Sequence, residues 1–118
     1  MAKHIDTGKK GEALGIAWLL SKGYILKEQN WRHARWEVDV ITERNGILHF
    51  TEIKTRRSLK FGHPEDKVGE KKIRNLINAA EQYLYLNPQW QRIQFSILSI
   101  LILDNQPIDY FLIEDVFL

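Results

Sequence analysis

The stretch WEVDVITERNGILHFTEIKTRR, residues 36–57, decides how the rest of the chain is read. At its centre Asn45-Gly46 is the strongest short signal for a two-residue hairpin turn, because the favoured turn needs positive φ at both central positions. On either side Val38, Val40, Ile41, Phe50 and Ile53 suit β structure, so strands are expected over 37–43 and 47–55. Charge nevertheless stands inside both strands, as Glu37 and Asp39 in the first and Glu52 and Lys54 in the second. A two-residue turn pairs Arg44 with Ile47, and counting outward sets Asp39 opposite Glu52 and Glu37 opposite Lys54. Side chains alternate along a strand, so all four are expected on one face. Directly opposed Cβ atoms lie about 4.5 to 5.5 Å apart, which brings the Asp39 and Glu52 carboxylates to contact range. Like charges so placed drive one carboxylate towards protonation unless a cation sits between them. Hard oxygen ligands of this kind favour Mg2+ or Mn2+.

Outward from the hairpin, residues 7–22 repeat apolar groups at helical spacing through Ala13, Ile16, Ala17 and Leu20, with Gly23 as the stop. Residues 24–31 suit a strand. From about Asp66 to Leu86, Ile73, Leu76, Ile77, Ala80 and Leu84 form a second helical stripe, ended by Asn87-Pro88. QFSILSILIL, residues 94–103, is a near-continuous apolar run, as expected of a strand buried on both faces. DNQP then turns the chain into a last strand, IDYFLI, residues 108–113. The expected order is αβββαββ, in one α/β domain spanning residues 1–118.

Composition narrows the function. With 118 residues, 44% apolar and 27% charged, the chain is long enough for one real core and too ordinary in composition to be disordered. No apolar run is long enough to cross a bilayer, and MAKHIDTG lacks the apolar centre of a signal peptide, so a cytoplasmic protein is expected. The absence of cysteine excludes disulfides, thiolate catalysis and cysteine-ligated metal. The net charge of +2 says little, but Lys9, Lys10, Arg56, Arg57, Lys60, Lys67, Lys71 and Lys72 are gathered into a few segments.

These residues carry a resemblance. Asp39, a hairpin, then Glu52-Ile53-Lys54 resembles the PD-(D/E)xK signature of the restriction-endonuclease-like nucleases. GEALGIAWLLSKGYILKEQNWR, EVDVI, FTEIKTRRS, FGHP and VGEKKIRNLINAAEQYL are similar, in order and spacing, to the YraN family of small bacterial proteins, over roughly residues 8–86. The nuclease role of that family is inferred from its likeness to archaeal Holliday-junction resolvases. The resemblance implies a restriction-endonuclease-like core, a mixed central sheet flanked by helices. It implies metal-binding carboxylates at Glu12, Asp39 and Glu52, a catalytic lysine at Lys54 and a basic position at Lys72. Two positions depart from the family pattern: Trp36 where glycine is usual, and Gln94-Phe95-Ser96 where Arg-Phe-Asp is common.

An E-x-K triplet is common by chance, so the weight rests on Asp39 in facing register with it. Phosphodiester hydrolysis fits the whole set: a metal held by Asp39, Glu52 and Glu12 activates water and polarises phosphate. Lys54, on the same face as Glu52, orients that water or neutralises developing charge. Arg56, Arg57, Lys71 and Lys72 are the expected nucleic-acid contacts. The lysines at the start of the second helix sit where the macrodipole disfavours cations by about 0.3 to 1 kcal/mol each, so they mark either an anion nearby or a solvated helix end. Trp31, Arg32, Arg35 and Trp36 are placed in a loop between the first two strands, as core residues or as stacking groups. His33, His49 and His63 show no metal-ligand spacing and are expected at the surface or behind the site. Glu37 is expected to pair with Lys54 or to face solvent. The expectation is therefore a metal-dependent nuclease acting on nucleic acid, DNA above all, in branched or flapped form. Two rivals stand beside it: a catalytically silent nucleic-acid-binding module, and an interaction protein forming a homodimer through its apolar C-terminal strands.

Overall fold

The computed structural model describes residues 3–57 and 69–114. Two helices and five strands follow in the order α1 (Lys3–Ser21), β1 (Ile25–His33), β2 (Trp36–Arg44), β3 (Ile47–Arg56), α2 (Glu70–Leu86), β4 (Ile93–Leu101) and β5 (Asp109–Glu114). This is the αβββαββ order expected from the sequence. The strands form one mixed sheet in the order β1-β2-β3-β4-β5, with β3 and β4 parallel and every other neighbour antiparallel. A parallel pair needs a crossover, and α2 supplies it.

The fold is a mixed α/β sandwich with a core on each face of the sheet. On one face Val38, Ile41, Leu48 and Phe50 pack under Leu76, Ala79, Ala80 and Tyr83 of α2. On the other Val40, Ile53, Leu98 and Ile100 meet Leu19 of α1 and Tyr24. β4 contributes to both layers and is buried along most of its length, in agreement with its continuous apolar sequence. The helix α1 lies very close to the sheet. A Cβ on Gly11 would collide with the Thr55 side chain, and one on Gly15 would come within 3.0 Å of Ile53 Cδ1. Across the other face, Tyr83 O–H donates to Glu28 Oε2 at 3.3 Å, tying α2 to the edge strand.

Several boundaries differ from the sequence reading: α1 begins at Lys3 rather than at residue 7, and β4 ends at Leu101 rather than at residue 103. The helix α2 starts at Glu70 behind Gly69, because Gly69 takes an extended conformation at φ −92°, ψ 171°. Lys60, His63 and Lys67 lie outside the described residues. Trp31 and Trp36 are not in a loop: β1 continues to His33 and β2 begins at Trp36, with Ala34 turning the chain at φ 55°. Both indoles pack against the α2-side core, Trp31 edge-on to Tyr83 at 5.2 Å. His49 is no surface residue either. It is 4% exposed, edge-on to the Tyr24 ring at 5.0 Å, because odd-numbered β3 residues face the α1 layer. Among the described residues no helix is long and apolar enough to cross a membrane.

Candidate functional site

The β2–β3 hairpin is closed as its sequence predicts. Asn45 at φ 55° and Gly46 at φ 77° form the turn, and the ladder runs from Arg44↔Ile47 through Ile41↔Phe50 to Val40↔Thr51. There it ends. The expected pairs Asp39↔Glu52 and Glu37↔Lys54 do not form part of it, and the cause is the aspartate itself. Continuation of the register would give the Ile53 N–H to a β2 backbone carbonyl; it donates instead to Asp39 Oδ2 at 2.8 Å. The carboxylate takes the place of the carbonyl, and the two strands part around it. Val38 and Val40, two residues apart, consequently enter opposite cores. Opposite this point on β1, Asn30 takes φ 52°, a conformation asparagine tolerates better than most residues.

Beyond the split β3 runs on to Arg56, paired with β4 alone, and the opened space becomes a pocket of about 220 Å³. A water occupies about 30 Å³ in the liquid, so the pocket has room for a phosphate group or a small hydrated ion. Its walls are Arg35, Glu37, Asp39 and Glu52 from the sheet side and Lys72 and Asn75 from α2. Asp39 and Glu52 are thus brought together as expected, although not as ladder partners. Burial and the Glu52 charge, with smaller contributions from Glu12 and Glu37, push the Asp39 pKa from 3.8 up to about 7, against the pull of the Ile53 N–H. Glu12 belongs to α1, on the far side of the sheet. Its charge is felt at Asp39 because that carboxylate sits in the gap between strands, and Gly11 holds α1 against Thr55 beside it.

Lys54 is half-buried on the α2 face without lining the pocket itself. Burial, then the Lys72 and Arg56 charges, lower its pKa; Glu52 and Asp39 oppose them. Glu37 does not pair with it. Arg32 Nε lies 3.3 Å from Glu37 Oε2, because the β1–β2 ladder sets Arg32 directly opposite Glu37. Lys72, expected on the nucleic-acid surface, reaches into the pocket and places Nζ 2.9 Å from Glu52 Oε2, and that hydrogen bond raises its pKa. For this lysine the anion near the start of α2 is Glu52. Lys71 and Arg57 are exposed and Arg56 half-buried. Among the described residues no three His, Asp or Glu side chains stand close enough together to hold a metal ion as they lie.

Asn75, to which no sequence motif assigns a role, sits on the helix turn after Lys72; its i, i+3 spacing from that lysine, which sets both on one side of α2, is the signal that locates it. Arg35, expected in the loop between the first two strands, both lines the pocket and lies over the Trp36 ring at 5.9 Å. Of the two departures from the family pattern, Trp36 packs against the α2-side core rather than lining the split. Ser96 lies away from it: alternation sets it with Leu98 and Ile100 on the α1 face, and it pairs with Thr51 rather than with Glu52.

Fold and pocket together define a small mixed α/β protein whose sheet opens around a carboxylate cluster. The chain belongs to the uncharacterised protein family UPF0102, the YraN-like family its motifs indicate; the family model matches residues 11–100 and so takes in β4 as well. It is 40% identical to a UPF0102 protein of Flavobacterium psychrophilum over 85% of this chain and 84% of that protein. Identity to one from Phocaeicola vulgatus is 42% over 71% of this chain and 69% of that protein. With one from Chloroherpeton thalassium it is 36% over 99% and 97% of the two.

Proposed function

We propose that this chain is a metal-dependent nuclease of restriction-endonuclease-like fold, hydrolysing phosphodiester bonds in DNA, with branched or flapped DNA as the substrate class. The observation that carries this reading is the joint placement of Asp39 and Glu52 in one pocket, at the point where β2 and β3 separate, with Asp39 pushed up to about 7 by burial and neighbouring carboxylates. Such a cluster is held together at the expense of charge repulsion, and a bound cation removes that expense. Asp39 and Glu52 are hard oxygen donors suited to Mg2+ or Mn2+, and Glu12, across the sheet on α1, adds its negative charge to theirs. The ion, when bound, supplies a Lewis acid at the phosphate and an activated water.

The chain's own residues do the rest. Lys54 offers a cation two residues from Glu52 on the same strand face, directed at charge that develops only in the transition state. Its lowered pKa brings it closer to proton exchange. Arg35 and Asn75 line the pocket with donors suited to phosphate oxygens, and the exposed Lys71 and Arg57 are available for further phosphate contacts. A homodimer is the competing reading, favoured by the edge strand β5, where Phe111 is 55% exposed; β4, enclosed between β3 and β5, has no free edge to offer.

The test incubates the protein with Mg2+ or Mn2+ and single-stranded, duplex, flap and four-way DNA, beside a Glu52→Ala control. Cleavage of flap or four-way DNA by the native protein alone supports the proposal. Failure to cut any of the four, or cutting that persists in Glu52→Ala, overturns it.

A further inference from the structure

The pocket holds both signs of charge, and they are held unequally. Glu52 stands on the central strand of the sheet with its side chain 17% exposed, whereas the Lys72 side chain it binds is 52% exposed. The anion is fixed; the cation hangs on a long flexible stem, near a helix N-terminus whose macrodipole disfavours it. Lys72 Nζ approaches Glu52 Oε2 to 2.9 Å, a charge-assisted contact at the carboxylate a cation would need. Asp39, Glu52 and Lys72 line one pocket, so the ammonium stands among the carboxylates that a shared ion would neutralise.

We propose that Lys72 is a built-in counter-ion that occupies the cation position of the carboxylate pocket and must release Glu52 before a divalent ion engages Asp39 and Glu52 together. This rests on the nuclease reading above and adds a gate to it. In the ion-free protein the ammonium relieves the repulsion that a bare cluster would suffer. Release costs little structurally, because the stem swings into solvent while the sheet stays in place. The gate makes ion binding a competition between an internal monovalent cation and an external divalent one, so its strength is set by a single side chain outside the carboxylate set.

The experiment measures Mn2+ affinity from the electron paramagnetic resonance signal of free Mn2+, at one fixed pH and without nucleic acid, for the native protein, Lys72→Met and Lys72→Arg. Methionine keeps the apolar stem and removes the charge, and circular dichroism verifies that each variant is folded. Lys72→Met is expected to bind Mn2+ more tightly by about 5- to 150-fold, the ordinary range of coupling between two sites, with Lys72→Arg close to native. Binding by Lys72→Met with none by the native protein supports the gate in its strongest form. Equal affinity in native and Lys72→Met overturns the gate and leaves the metal reading standing, and weaker binding in Lys72→Met does the same. Absence of Mn2+ binding in all three overturns the metal reading and the gate with it.

Discussion

At its turn end the β2–β3 hairpin is an unbroken ladder closed by Asn45 and Gly46, while at its other end the same two strands are separated by one carboxylate that accepts the Ile53 N–H at 2.8 Å. The turn end carries Ile41, Leu48 and Phe50 into a close-packed core; the split end carries Glu37, Asp39 and Glu52 into a pocket. Backbone pairing satisfies its own polar groups and leaves a side chain nothing to do but pack. Where a side chain takes over the pairing, the backbone opens and chemistry gains access.

The strongest way to break this contrast is at Lys54, on the stretch of β3 that β2 no longer covers. Lys54→Ala is expected to lower single-turnover cleavage of whichever DNA is cut by about 100-fold or more, with Mn2+ and DNA affinity near native, because the lost interaction belongs to the transition state. A near-native rate would take the lysine out of the mechanism.

Next in size is the pH dependence of stability without divalent ions. Asp39 ionises near 3.8 in the unfolded chain and near 7 in the folded one. The folded state therefore holds the proton more tightly, so the contribution of Asp39 is fully present below about pH 4, declines as pH rises to about 7, and is level above. Over that window, denaturant unfolding should show the native protein losing about 1 to 3 kcal/mol relative to Asp39→Asn, which keeps an acceptor for the Ile53 N–H but cannot ionise. Parallel curves for the two proteins would show that the split end bears no charge penalty.

The turn end is sharpened by Gly46→Ala. With φ at 77° the added Cβ is strained, and a loss of about 1 kcal/mol is expected in thermal unfolding, independent of pH and of Mn2+. The smallest effect is at the helix start. Lys71→Ala should reduce the slope of log affinity for duplex DNA against log salt by about 0.9, the contribution of one phosphate contact. An unchanged slope would leave Lys71 a solvated residue.

The element order, the hairpin and its first pairs were legible because each rests on a local rule: helical spacing, alternation, and the φ demand of Asn-Gly. The co-location of Asp39 and Glu52 was legible because each lies one residue beyond the last ladder pair, Val40↔Thr51, although they do not pair. What could not be read was where the ladder stops. That depends on a side chain competing with a backbone carbonyl for one N–H, a tertiary event with no periodic trace. The partners that depend on long-range placement were hidden likewise. Lys72 was legible as a basic residue at a helix start, but its reach to Glu52 follows from how α2 crosses the sheet, and Arg32 takes Glu37 because β1 runs two residues farther than its apolar pattern suggests.

The parallel pairing of β3 with β4 also sets the order in which the molecule assembles. β1, β2 and β3 are neighbours in sequence and in the sheet, so their contacts close short loops; β3 meets β4 only after the chain from Arg57 to Arg92 has been brought round, which costs several kcal/mol of loop-closure entropy before any contact repays it. The meander is therefore expected to form early and the crossover late. Kinetically, conservative truncations in the early part, such as Ile41→Val, should slow refolding. Truncations in β4, such as Ile100→Val, should instead speed unfolding and leave the refolding rate nearly unchanged.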